Sequence, residues 1–157
     1  MIKFLFLFVF NIAIFSFNNA YAQLQNSAFS KLDSLNLVDQ RSIVVFIHTD
    51  WCKYCLQMKT TTFKNDSVIA LLNNDFYFTS LNAESKQPIS YLGKLFKYRP
   101  TGLNTGVHEL AEQLGTIDGE INYPAICIIN KNEILFQYGG LMQADELLKV
   151  LKIVLKR

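Results

Sequence analysis

The sequence predicts an α/β protein: a central mixed sheet of about four strands with helices on both faces. Three observations carry that expectation. A continuous apolar run, Ile43-Val44-Val45-Phe46-Ile47-His48, stops at Thr49-Asp50 and leads directly into Trp51-Cys52-Lys53-Tyr54-Cys55. Two helical patterns then separate that run from a second one, Phe76 to Leu81, as a parallel pair requires. Finally, Ala125 to Ile129 and Glu133 to Tyr138 flank the short polar turn Asn130-Lys131-Asn132, which predicts an antiparallel hairpin.

The chain has 157 residues, 50% of them hydrophobic, enough for one well-filled core, and no internal period recurs. Residues 1–22 have the three parts of a secretory signal peptide. Lys3 supplies the positive start, Phe4 to Phe17 the apolar run, and Ala20-Tyr21-Ala22 an A-x-A cleavage site. The apolar run is short for a membrane span and is interrupted by Asn11, so cleavage after Ala22 is expected, with a retained membrane anchor as the alternative. Export into a periplasm-like compartment follows. Losing Lys3 takes the formal net charge from +2 to +1, a balance with no basic face of the kind nucleic acid demands.

Within 23–157 the elements are expected as follows. Phe29, Leu32 and Leu35 have helical spacing, which predicts a leading helix over about 26–39, ahead of the strand at 43–48. The helix that opens at the cysteines carries Leu56, Met58, Lys59 and Phe63, and the run Thr60-Thr61-Thr62 weakens it, predicting a break between Thr62 and Asn65. Asn65 or Asp66 caps the next helix, through Val68, Ile69, Leu71 and Leu72, ahead of the strand at 76–81. The following stretch is irregular, with a helix expected from about Ile89 to Tyr98. Gly106 to Leu114 reads as a further helix ended by Gly115, and Thr116 to Asn122 as a polar loop. After the hairpin, Gly139-Gly140 breaks the strand, and Gln143 to Lys156 is an amphipathic helix with Leu147, Leu148, Leu151, Val154 and Leu155 on its buried side.

The three cysteines carry the chemical information. If a helix opens at Cys52, its sulfur lies where unpaired backbone N–H groups and the helix dipole stabilise a thiolate, the nucleophile of disulfide exchange. Cys55 follows one turn later and can close a disulfide with it. That ring encloses only two residues and removes little unfolded-chain entropy, so it is a poor structural staple and better explained as a working dithiol. Cys127, between Ile126 and Ile128, is expected to be an ordinary core thiol.

Strand, loop, Trp-Cys-x-x-Cys and helix, with Tyr123-Pro124 just before the third strand and the closing hairpin and helix, resemble the thioredoxin superfamily over about 40–157. The departures are the first helix and an insertion, expected to be helical, at about 84–105. The pattern resembles exported thioredoxin-like proteins and the C-terminal domain of the disulfide reductase DsbD more than cytosolic thioredoxin. The resemblance implies a three-layer fold and a thiol–disulfide oxidoreductase without a cofactor. Cys52 would be the nucleophile, Cys55 the resolving thiol, and Pro124 a cis-proline whose loop, with Tyr123, faces the dithiol and holds the substrate chain. Trp51 would shape the contact surface, with plain core packing as its alternative role. Lys53 should favour the Cys52 thiolate through its charge. Tyr54 stands where thioredoxin has a proline, so its redox potential does not carry over, and Phe46 where it has a buried aspartate, so another route for the proton is needed or its transfer is slower. The implied partners are protein thiols and disulfides and a membrane electron donor, with the chain acting as a monomer and more as a reductant than an oxidant.

Rival readings come from the same residues. Cys52, Cys55 and His48 with a fourth ligand would make a zinc or copper site, and a redox-inactive binding module would keep only the fold. Haem attachment is excluded, because Leu56 stands where C-x-x-C-H needs histidine. His48, at the strand end, is a base, a ligand or simply a packed residue. Asp50 reads as a loop or cap residue able to tune Cys52, and His108-Glu109 as surface or packing residues, since H-E without a second histidine is not a zinc motif.

Overall fold

The computed structural model describes residues 23–157; the expected signal peptide or anchor at 1–22 lies outside the described residues. The helices are α1 (Phe29–Val38), α2 (Lys53–Thr60), α3 (Asp66–Asp75), α4 (Glu109–Gly115) and α5 (Ala144–Val154). Strands β1 (Ser42–His48), β2 (Phe76–Asn82), β9 (Ala125–Asn130) and β10 (Glu133–Gly139) form the central sheet. Between them lie the short strands β3 (Ile89–Tyr91), β4 (Lys94–Phe96), β5 (Tyr98–Pro100), β6 (Gly106–His108), β7 (Thr116–Ile117) and β8 (Glu120–Ile121). No helix among the described residues is long and apolar enough to cross a membrane.

The sheet order is β10-β9-β1-β2. β1 runs parallel to β2, Ser42 opposite Phe76 and His48 opposite Asn82, and antiparallel to β9, Val45 opposite Cys127. Every residue of β1 is buried, because it is an inner strand covered on both faces, which is why its sequence is continuously apolar. Side chains alternate across it. Val44 and Phe46 pack with Met58, Val68, Leu72, Leu147 and Leu151, beneath α2, α3 and α5. Ile43, Val45 and Ile47 pack with Leu32, Leu110 and Leu114, beneath α1 and α4. The result is the expected three layers.

Local chemistry sets the element ends. The Asn65 side chain caps α3, accepting from the N–H groups of Ser67 and Val68 at 3.0 and 3.2 Å. A single 3-10 turn at Thr62–Lys64 takes the place of the expected break. Lys131 and Asn132, both at positive φ, close the β9–β10 hairpin. α1 is shorter than expected. Residues ahead of it run extended beside β2, where the Ser27 N–H donates to the Phe78 carbonyl at 2.8 Å and the Ser80 N–H to Asn26 Oδ1 at 2.8 Å. Asn73 ties down the same segment, accepting from the Gln25 N–H and donating to the Gln23 carbonyl.

The region expected to be a helical insertion contains no helix. Instead of a helix over Ile89 to Tyr98, β3 and β4 form a hairpin turned by Leu92 and Gly93 at φ +52° and +71°. A two-residue turn with both centres left-handed matches the twist of paired strands, and Asp33 on α1 accepts the Leu92 N–H at 2.9 Å to hold it in place. The helix expected from Gly106 begins only at Glu109, because Gly106–His108 pairs with Tyr98–Pro100. A Cβ on Gly106 would meet the Arg99 carbonyl and the Tyr98 ring at 2.5 Å, so only glycine fits that pairing. The loop expected at Thr116 to Asn122 holds the small β7–β8 ladder, turned by Asp118-Gly119 at positive φ.

His108 is fully buried, which makes it a packing residue and not a surface one. Its Nδ1 accepts the Leu110 N–H at 3.2 Å to cap α4, and its Nε2 bonds the Gln87 carbonyl at 3.1 Å. Both ring nitrogens are used by the neutral form, and burial holds its pKa below the ordinary 6.5. His48 is likewise lowered, first by burial and then by the Lys59 ammonium. For both residues the unfolded chain therefore binds protons that the folded chain refuses, in the window from 6.5 down to the folded values. Stability contributed by these sites is full above that window and lost as the pH falls through it, at up to about 1.4 kcal/mol per pH unit per histidine. The urea midpoint is expected to fall between about pH 7.5 and about pH 5, and replacing both histidines with glutamine should flatten that dependence.

Candidate active site

β1 delivers the chain to the site. It ends at His48, residues 49–51 turn, and Cys52 takes extended backbone angles (φ −76°, ψ 108°) as the N-cap of α2. Its sulfur accepts the Cys55 N–H at 3.0 Å, so the cysteine does what a serine or aspartate does at other helix starts. An anion at that atom is stabilised by a backbone donor and by the positive end of the helix. Cys52 and Cys55 are joined as a disulfide, S–S 2.07 Å with Cα atoms 5.2 Å apart. Cys52 retains 6% exposure and Cys55 only 1%. Both residues are buried, Cys52 the less completely of the two and at the helix start, the order expected of an attacking and a resolving thiol.

Trp51 and Tyr123, both expected at the contact surface, meet each other beside the cysteines. Trp51 is 67% exposed, so core packing is not its role. Its ring meets Tyr123 edge to face at 6.1 Å, and its Nε1–H donates to Glu84 Oε1 at 3.0 Å. The Tyr123-Pro124 peptide is cis, and the Pro124 carbonyl accepts the Gly140 N–H at 2.7 Å, tying its loop to the end of β10. Tyr123 also packs against the core cluster that contains both cysteines. Burial, then the charges of Glu84 and Glu112, push its phenol up to about 12, keeping it neutral. Tyr54 is 60% exposed and Lys53 exposed, on the surface of the first turn of α2; Asp50 is exposed in the preceding loop. Glu84 is a site residue that sequence reasoning missed, because its link to Trp51 spans 33 positions.

His48 is not free. Its ring stacks on Phe46, centroids 5.4 Å apart, and Lys59 Nζ lies 3.1 Å from its Nδ1 and 3.3 Å from its Nε2. Among the described residues no three His, Cys, Asp or Glu side chains gather as metal ligands. Cys127 lies inside the sheet, and burial pushes its thiol up to about 12, so it stays protonated and inert.

An α/β fold with paired cysteines at a strand-to-helix junction, and a cis-proline loop whose Tyr123 packs against the same core cluster, fits the class of thiol–disulfide exchange proteins. The comparisons give the family. Residues 31–155 match the thioredoxin-like domain family, and the chain belongs to it. Among solved structures, a thioredoxin from Thermus thermophilus superposes with a TM-score of 0.59 at 20% identity, over 85% of this chain and 88% of that one. The DsbH oxidoreductase gives 0.61 at 16%, over 88% and 89%. A thioredoxin-fold protein from Helicobacter pylori gives 0.56 at 15%, over 74% and 70%. At these identities the likeness shows the fold. No curated protein matches in sequence. Fold, family and the paired cysteines together support thiol–disulfide oxidoreductase chemistry.

Proposed function

We propose that this chain is a thiol–disulfide oxidoreductase of the cell envelope that works chiefly as a reductant. The observation that carries the chemistry is the Cys52–Cys55 disulfide at the α2 N-terminus, with Cys52 as the N-cap and the less buried of the pair. In the reducing direction the Cys52 thiolate attacks a substrate disulfide, joins one substrate sulfur, and releases the other as a thiolate that takes a proton from solvent. Cys55 then loses its proton and attacks Cys52. The second substrate thiol leaves, and the Cys52–Cys55 disulfide remains, two electrons having passed to the substrate. A dithiol donor must restore the protein, and a membrane electron donor is the partner proposed. Trp51, Tyr123 and Pro124 receive the substrate chain, and the protein acts as a monomer. The signal-peptide pattern at 1–22 supports the location, and the similarity to exported reductase domains supports the direction.

Purified protein is expected to accelerate insulin reduction by dithiothreitol, and Cys52→Ser should bring the rate down to that without protein. Equal rates for the two would end the enzyme reading. A Cys52–Cys55 reduction potential near roughly −270 mV would agree with a reductant, whereas one near about −120 mV would assign the protein to oxidation.

A further inference from the structure

We propose that Lys59, anchored on His48, is a positioning residue that places a positive charge under the dithiol and stabilises the thiolate of the reduced protein, most strongly at Cys55. The proposal rests on the oxidoreductase reading and names how that site is tuned. Lys59 stands four residues after Cys55 on α2, one turn along the same face. Helical side chains lean toward the N-terminus, so Lys59 reaches back over the turn that carries Cys55. Its ammonium lies 3.1 Å from His48 Nδ1 and 5.9 Å from the centre of the Phe46 ring. His48 is the last residue of β1 and shares a face with Phe46, whose ring packs in one cluster with both cysteines. The ammonium is therefore held at the active-site end of the sheet, between the strand and the helix that bears the thiols.

The groups facing this pair leave the charge positive. Asp50 in the loop is exposed; α2 contributes Lys59 itself, and the turn after it contributes Lys64. Phe78 and Ser80 come from β2, and Leu24 from the segment beside it, around a cavity of about 160 Å³ that Lys59 also lines. His48, held below its ordinary value by burial and by Lys59, is neutral near pH 7 and serves as the acceptor that fixes the ammonium. The pair thus carries one positive charge. A buried carboxylate beneath a dithiol favours its protonated form; a cation favours the thiolate and, through it, the reduced state over the disulfide.

The test uses the full protein and two readouts independent of turnover: thiolate ultraviolet absorbance against pH, and the dithiol–disulfide equilibrium against glutathione. In Lys59→Met the thiol titration is expected to move up by about one pH unit. Measured above the pH at which the thiol titrates, where the thiolate is the reduced form, the equilibrium should move about tenfold toward the disulfide, which is about 30 mV more negative. Lys59→Arg should stay close to wild type in both. His48→Leu should give a smaller shift of the same sign, because the ammonium loses its anchor. If folded Lys59→Met titrates and equilibrates like wild type, the proposal is overturned. It is also overturned if Lys59→Arg shifts as far as Lys59→Met, since the effect then belongs to packing rather than charge. Insulin reduction no faster with wild type than with Cys52→Ser would count against the proposed function alone, because neither readout depends on it.

Discussion

Replacing Cys55 with serine is expected to leave the protein covalently joined to its substrates. Cys52 keeps its position at the helix start, so the first exchange still forms a mixed disulfide. Its release normally comes from a neighbouring thiol on the same turn, and intramolecular attack of that kind outcompetes a millimolar external thiol by a wide margin. Cys127 cannot substitute, being enclosed in the sheet and protonated up to about 12. Turnover in the insulin assay should fall at least about a hundredfold, while a disulfide-linked species through Cys52 accumulates on non-reducing gels and in peptide mass spectra. Undiminished turnover without adducts would remove Cys55 from the resolving role.

Phe46→Ala is expected to cost about 3–5 kcal/mol of folding stability, a large part of the roughly 5–15 kcal/mol a domain of this size possesses. The side chain is 1% exposed, meets Phe63 at 4.8 Å in an edge-to-face pair, and stacks on His48. Its removal opens a cavity between the sheet and α2, where Met58 and Phe63 lose their packing partner. The urea midpoint reads the loss, and a cost below about 1 kcal/mol would mean the site relaxes freely. Because Phe46 also supports His48, the variant should loosen the anchor of Lys59 as well as the core.

The parts of this fold legible in the sequence are those decided by near neighbours. The run Ile43 to His48, the amphipathic spacing of Leu147, Leu151 and Val154, the caps at Cys52 and Asn65 and the Lys131-Asn132 turn each carry their physics within a few residues. The two cysteines and Tyr123-Pro124 were legible for the same reason. The hairpins of the insertion were not. Ile89, Leu92, Leu95 and Phe96 repeat at a nearly helical interval, and what overrides that pattern is the left-handed pair Leu92-Gly93 together with the tie to Asp33, 59 positions away. Asp118-Gly119 was a local turn signal read only as loop. At the site, Phe46 advertised that a buried aspartate was absent, but its neighbours His48 and Lys59 come from different elements and meet only once the helix is laid on the sheet.

The segment beside β2 has a consequence for how this protein behaves among its own copies. A terminal strand of a sheet offers a row of unsatisfied amides and carbonyls that any extended peptide can adopt, the route by which folded domains join edge to edge into aggregates. Here the Phe78 carbonyl and the Ser80 amide are already taken by Ser27 and Asn26, and Asn73 locks the segment in place from α3. The chain thereby occupies part of one of the sheet's two borders itself. For the proposed work on protein disulfides, that occupation would keep recognition at the dithiol and away from indiscriminate strand exchange.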